Sequence, residues 1–206
     1  IGEQAPGPKN YDMAPPLNNL ANLYFEQGKY TQARPLYQRA LHIREQVLGL
    51  DHPRLIYSLN GLANAYAVQG EYEQAEPLYQ RAVLIGEQAL GLEHPQVAYP
   101  VNSLAELYTE QGKYKQAESL YQRALHIREQ ALGLDHPSVA ESLYGLANLF
   151  QKQNKYTEAE PHYQGSLSIW EQALGPEHPY VAYSLNGLAN LSQGQGQHSK
   201  AEALYQ

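Results

Sequence analysis

The chain contains no cysteine, which excludes disulfides and thiolate chemistry and fits reducing and oxidising compartments alike. Basic residues are in deficit: 14 Lys and Arg stand against 21 Asp and Glu, a formal net charge of -7. Such a balance argues against nucleic acid as a general partner, because phosphate binding rests on clustered Lys and Arg. No apolar run approaches the ~20 residues that cross a bilayer. No basic, apolar and small-residue succession opens the chain as a secretory signal would. Gly-x-Ser-x-Gly, His-Glu-x-x-His and a phosphate loop ending in Lys-Ser or Lys-Thr are all missing. These absences lead to the expectation of a cytoplasmic chain that is not an enzyme, carries no cofactor and binds neither nucleic acid nor membrane.

What the chain does have is a period. At intervals of 42 residues one slot holds Leu17, Leu59, Val101, Leu143 and Leu185. A second holds Ala21, Ala63, Ala105, Ala147 and Ala189, and a third holds Tyr37, Tyr79, Tyr121, Tyr163 and Tyr205. Fixed-period self-similarity marks stacked repeats, each burying its apolar face only against its neighbours. Within one period, Leu59, Leu62, Ala63 and Tyr66 fall at helical spacing on one face. Gly70 then sits where a helix end wants a residue tolerant of positive φ. Tyr72, Ala75, Tyr79 and Ala82 open a second stripe, which continues to Leu90 and stops at Gly91. Pro95 suits the first position of the next helix. The unit is two antiparallel helices, with alanines at their close crossings and tyrosines between.

Prolines set the boundaries. Pro35, Pro77 and Pro161 are acceptable only near a helix start, so the second helices begin no earlier than about Tyr30, Tyr72 and Tyr156. Pro16 and Pro100 share a slot in first helices and predict a late start or a kink there. Ile1, Glu3, Gln4 and Gly7 match Ile43, Glu45, Gln46 and Gly49 one period on, so the chain reads as a piece that begins inside a repeat. The expected organisation is one array over 1–206: the end of a preceding repeat at 1–11, repeats at 12–53, 54–95, 96–137 and 138–179, and an incomplete fifth at 180–206. The fifth, with Ser192 and His198 in tyrosine slots, is expected to be the least stable.

Leu20-Ala21-x-x-Tyr24-x-x-x-Gly28-x-Tyr30-x-x-Ala33-x-x-x-Tyr37-x-x-Ala40 resembles the tetratricopeptide repeat. The family's usual period is ~34 residues, and the extension after Ala40 looks like its kinesin-light-chain variety. The resemblance implies an all-α fold, a right-handed superhelical solenoid of antiparallel helix pairs. It also implies a ligand-facing inner surface built from the first helix of each unit. Carried onto this sequence, the slots three before and one after the signature alanine hold Asn18 and Asn22, Asn60 and Asn64, Asn102 and Glu106, Tyr144 and Asn148, Asn186 and Asn190. One turn earlier lie Tyr57, Tyr99, Glu141 and Tyr183.

Of 18 tyrosines, six fall outside the recurring core slots: Tyr11, Tyr57, Tyr99, Tyr144, Tyr180 and Tyr183. Four of them coincide with the inner-face slots. An asparagine ladder can donate to carbonyls and accept from N–H groups, and tyrosine adds broad contact with little rotamer entropy to lose. The leading reading is therefore a scaffold that holds an extended peptide or protein segment in a concave groove. Glu26, Glu106, Glu110 and Glu141 outnumber Lys152 there, so neutral, apolar or basic ligands are expected. The alternative is a sensor or regulatory region of a larger signalling ATPase or protease, and a third reading is self-association through terminal helices. His52, His94, His136 and His178 occur one per repeat, too far apart for one metal ion, and are expected to cap the His-Pro junctions.

Overall fold

The structure is a computed structural model that describes residues 13–205. Tyr11, Gln206 and the expected end of a preceding repeat at 1–11 lie outside the described residues. Among these there are ten helices and no strand. They are α1 (Ala14–Glu26), α2 (Tyr30–Leu48), α3 (Leu55–Ala67), α4 (Tyr72–Leu90), α5 (Pro95–Glu110), α6 (Tyr114–Leu132), α7 (Pro137–Lys152), α8 (Tyr156–Leu174), α9 (Pro179–Gly194) and α10 (His198–Tyr205). The chain forms two units, a first through Leu107 and a second from Tyr108. In the first, α1 pairs with α2 and α3 with α4, and the first helices α1 and α3 also touch. In the second, α7 pairs with α8 and α9 with α10, and α7 touches α9.

Helix boundaries follow the punctuation. The second helices start at Tyr30, Tyr72 and Tyr156, so each internal proline sits at the sixth helical residue. First-helix ends are turned by residues of positive φ: Gly28, Gly70, Gly112 and, in the fourth repeat, Asn154 at φ 58. Asparagine is among the few non-glycine residues that adopt this conformation readily. Pro100 corrects the expected late start: α5 starts at Pro95 and runs through it. Proline there removes one backbone hydrogen bond near the helix start. Val97, Ala98 and Val101 on the same turns are fully buried and hold the helix in place.

The His-Pro junctions are caps. Nδ1 of His52, His94, His136 and His178 accepts the backbone N–H two residues on, at 3.1–3.2 Å. At His94, His136 and His178 the imidazole thereby satisfies a donor that the first helical turn leaves open, whereas at His52 the N–H is that of Arg54, just before α3. His136→Ala is expected to cost ~0.5–2 kcal/mol, and His136→Asn to recover most of it in chemical denaturation. Equal stability of the two variants would remove the capping role.

The core alternates small and large as the spacing predicts. Ala21, Ala63, Ala105, Ala147 and Ala189 are fully buried, as are Ala33, Ala75, Ala117 and Ala159. Tyr37, Tyr79, Tyr121 and Tyr163 are almost fully buried. These rings stack on the next repeat. A Cβ built on Gly61 would lie 2.5 Å from the Tyr37 ring, and Gly145 and Gly187 meet Tyr121 and Tyr163 in the same way. Glycine in mid-helix costs about 0.5–1 kcal/mol against alanine, and here it makes room for a whole tyrosine ring. In the third repeat the slot holds Ser103.

Charge is buried at one slot. Arg44 donates from Nη1 to Asn18 Oδ1 at 3.1 Å and to Ser58 Oγ, and Ser58 Oγ donates to Asn18 Oδ1 at 2.9 Å. Arg128, also buried, donates to Ser142 Oγ at 2.8 Å and to the Ser138 carbonyl at 2.6 Å, and pairs with Glu141 at 2.9 Å. Recurrent surface charges link repeats as well: Arg81 on α4 pairs with Glu45 on α2 at 2.5 Å.

Candidate functional site

The asparagine slot one residue after the signature alanine has a fixed geometry. The Tyr37 hydroxyl donates to Asn22 Oδ1 at 2.6 Å, Tyr79 to Asn64 at 2.5 Å, Tyr205 to Asn190 at 2.7 Å, and Tyr163 to Asn148 at 2.5 Å, its proton shared with Gln151 Oε1. The partners are 15 residues apart every time. That is the separation between a first-helix slot and the second-helix position packed against it. Burial, with the neighbouring Tyr99 and Glu26 adding, pushes the Tyr37 hydroxyl up to about 12. Burial also raises the Tyr79 hydroxyl above its ordinary value, reinforced by Glu106, and that of Tyr163, reinforced by Tyr144. These hydroxyls therefore remain protonated donors at physiological pH. Each asparagine carbonyl is committed to its tyrosine, and the amide Nδ2, which can only donate, is the end left for other partners.

The exposed tyrosines flank these slots. Tyr57 and Tyr99 in the first unit are 52% and 40% exposed, and Tyr183 in the second is 49% exposed. Tyr57 is met by Nε2 of Gln96 at 3.4 Å. Tyr144 is half-buried and packs edge-on against Tyr163, ring centroids 5.7 Å apart. Glu106, Asn186 and Asn190 are exposed, and Asn64, Asn102, Asn148 and Glu141 are half-buried.

Two expected site residues do not fit an open face. Asn18 is buried in the Arg44–Ser58 network described above. Asn60 is 0% exposed, donates from Nδ2 to Ser103 Oγ at 3.2 Å, and its Oδ1 meets no protein donor among the described residues. The reason is geometric: the slot three before the alanine faces the neighbouring first helix as much as it faces outward. Where that neighbour is close, the asparagine is covered. The sequence reading also passed over the tyrosine–asparagine pairing, although its constant separation of 15 was there to be read.

No group of His, Asp and Glu among the described residues could hold a metal ion. No described helix is long and apolar enough to cross a membrane.

Known proteins agree with this architecture. The tetratricopeptide-repeat model matches residues 12–83, 55–130, 100–164 and 138–206. No curated protein matches the sequence significantly. Among solved structures, a kinesin-light-chain-type protein of nearly identical TPR-like repeats from Podosopora anserina is 29% identical. That match covers 91% of this chain and 89% of the other, with a TM-score of 0.71. BtubC (BKLC) from P. vanneervenii is 26% identical over 91% of this chain and 75% of its own, with a TM-score of 0.76. A Rap protein solved with competence and sporulation factor shares the fold at a TM-score of 0.80, at 18% identity, over 92% of this chain and 50% of its own. Family-model matches that overlap from residue 12 to residue 206, on helix pairs with this spacing of Ala, Gly and Tyr, give one conclusion: the chain belongs to the tetratricopeptide-repeat family.

Proposed function

We propose that this chain is a protein-interaction scaffold that grips an extended polypeptide segment along the first-helix faces of each unit. The observation that carries this reading is the row of asparagines held by tyrosine hydroxyls. A side chain whose carbonyl is already bonded loses little further freedom on binding, so its Nδ2 is a preorganised donor for a backbone carbonyl. In the first unit Asn22 and Asn64 serve this role, with Asn102 alongside and Tyr57 and Tyr99 as apolar contacts. In the second, Asn148 and Asn190 serve it, with Asn186, Tyr144 and Tyr183 alongside. Asn18 and Asn60 support the row from within. Donors aimed at backbone carbonyls read the main chain rather than particular side chains. The glutamates Glu26, Glu106 and Glu141 select against acidic ligands. The kinesin-light-chain-type structures that this chain resembles are consistent with an adaptor role of this kind.

The test separates donor from fold. Asn64→Asp and Asn148→Asp keep an oxygen for the tyrosine hydroxyl but replace the outward Nδ2 by an acceptor. The third repeat already carries a carboxylate, Glu106, in this slot. Melting temperature is expected to stay nearly constant. Affinity for peptides selected from a displayed library should fall about ten-fold per site, the cost of losing a hydrogen bond and facing a carbonyl with a carboxylate. Unchanged affinity in both variants would move the binding surface off the first helices.

A further inference from the structure

The fourth repeat carries an aromatic residue at a slot where no other described repeat has one. The slot that holds buried arginine in the first and third repeats, Arg44 and Arg128, holds Trp170 in the fourth. Trp170 is buried, and its Nε1 donates to the Pro137 carbonyl at 3.3 Å. Around it α7, α8 and α9 assemble further rings. Tyr144 lies 5.6 Å from Trp170 and 6.3 Å from Tyr183, while Tyr180 lies 5.2 Å from Trp170 and 6.0 Å from Tyr183, centroid to centroid. These rings are tilted against one another by 34–49°. Tyr180 and Tyr183 stay 41% and 49% exposed. Tyr180 is held twice: its N–H is tied to His178 Nδ1, and its ring stands edge-on to the His178 ring at 4.9 Å.

Packing explains Trp170, which is covered. It does not explain the exposed Tyr180 laid over it: Arg54, Gln96 and Ser138 occupy that slot in other repeats, whereas the Tyr183 slot is also tyrosine at Tyr57 and Tyr99. With Tyr180 and Tyr183 41% and 49% exposed and in contact with each other, the group forms a platform on the surface. Elsewhere the chain covers such faces with its own cations: Arg34 over Tyr66 at 4.2 Å and Lys113 over Tyr108 at 4.7 Å. Tyr144, Tyr180 and Tyr183 have no such cover among the described residues. The three helices that build the platform hold four glutamates, Glu141, Glu158, Glu160 and Glu171, against one lysine, and α9 holds no charged residue. That lysine, Lys152, pairs with Glu110 at 2.8 Å, and Glu160 pairs with Lys200 on α10 at 2.8 Å. Glu141 stands one turn before Tyr144 on α7; it pairs with the buried Arg128 at 2.9 Å, and its side chain is 42% exposed.

We propose that the Tyr144–Tyr180–Tyr183 platform over Trp170 binds an arginine side chain of a protein partner, its guanidinium stacked on the tyrosine faces and reaching the exposed edge of the Glu141 carboxylate that Arg128 holds from within. A flat, weakly hydrated cation suits both the ring faces and the acidic surroundings. This inference rests on the peptide-binding reading and names the residue that the second unit selects.

Trp170 is the sole tryptophan, so its fluorescence reports on this platform alone. The whole chain is titrated with a Gly-Ser peptide carrying spaced arginines, and with matched peptides carrying citrulline or proline instead. The arginine peptide is expected to change Trp170 emission saturably and to bind about ten-fold more tightly than the citrulline peptide. Tyr180→Leu and Tyr183→Leu, which keep apolar area but lose the ring face, should each remove most of that preference. Glu141→Gln should weaken arginine binding and leave citrulline binding unchanged. Failure of the arginine peptide to bind, or equal or tighter binding of the proline or citrulline peptide, overturns the proposal. Binding that depends on Asn148 but ignores both tyrosines sinks the platform and leaves the peptide reading intact. Binding that depends on the tyrosines but ignores Asn148→Asp and Asn190→Asp keeps the platform and sinks the asparagine row.

Discussion

Gly61→Ala is expected to destabilise the first unit by ~1–3 kcal/mol, the usual cost of overpacking a core. The sign is what makes the result informative. In an open helix interior the same change stabilises by about 0.5–1 kcal/mol, because alanine has less backbone entropy to lose. Here the new Cβ would sit 2.5 Å from Tyr37 Cε1 and 2.8 Å from its Cζ. The ring cannot retreat easily, since its hydroxyl is bonded to Asn22 and Tyr37 is almost fully buried. Tyr37→Leu should relieve the clash, so the double variant is expected to lose less than the sum of the two single losses. Urea denaturation measures all three. A neutral or stabilising Gly61→Ala would mean that the Tyr37 ring does not rest on α3.

Removal of the Arg128 side chain is the second large effect. Arg128→Ala strips hydrogen bonds from Ser142 and the Ser138 carbonyl, leaves Glu141 without its cation and opens a void in a buried site. Breaking a buried pair from one side typically costs ~3–5 kcal/mol. The low end is expected, because the Glu141 carboxylate can turn to water. Glu141→Gln keeps a hydrogen-bond acceptor and should cost less than ~1 kcal/mol. If both variants cost the same, the ion pair rather than the buried network holds this part of the second unit together.

The helix pairs were legible in the sequence because their determinants are local. Proline at the sixth position fixed the starts at Tyr30, Tyr72 and Tyr156, and Gly28, Gly70, Gly112 and Asn154 fixed the first-helix ends. What escaped depends on the neighbouring repeat. Gly61, Gly145 and Gly187 read locally as weak points in a helix, and only the tyrosine stacked on each gives them a purpose. Asn18 and Asn60 match Asn102 and Asn186 in spacing, and the helices beside them decide which are covered. Pro100 misled for a related reason: the penalty of one lost backbone bond is local, but the burial of Val97, Ala98 and Val101 that outweighs it is not.

The account's central claim is that Nδ2 groups of asparagines held by tyrosine hydroxyls grip the backbone of an extended ligand. Side-chain amide pairs are resolved individually in a nitrogen–proton correlation spectrum, so a peptide titration reads those groups directly. The account predicts that the Nδ2 protons of Asn22, Asn64, Asn148 and Asn190 shift downfield as they bond to carbonyls, while those of Asn154, in the turn that ends α7, stay in place. A peptide that binds and leaves these four pairs unmoved, while shifting signals of the second helices or the His-Pro turns, would contradict it.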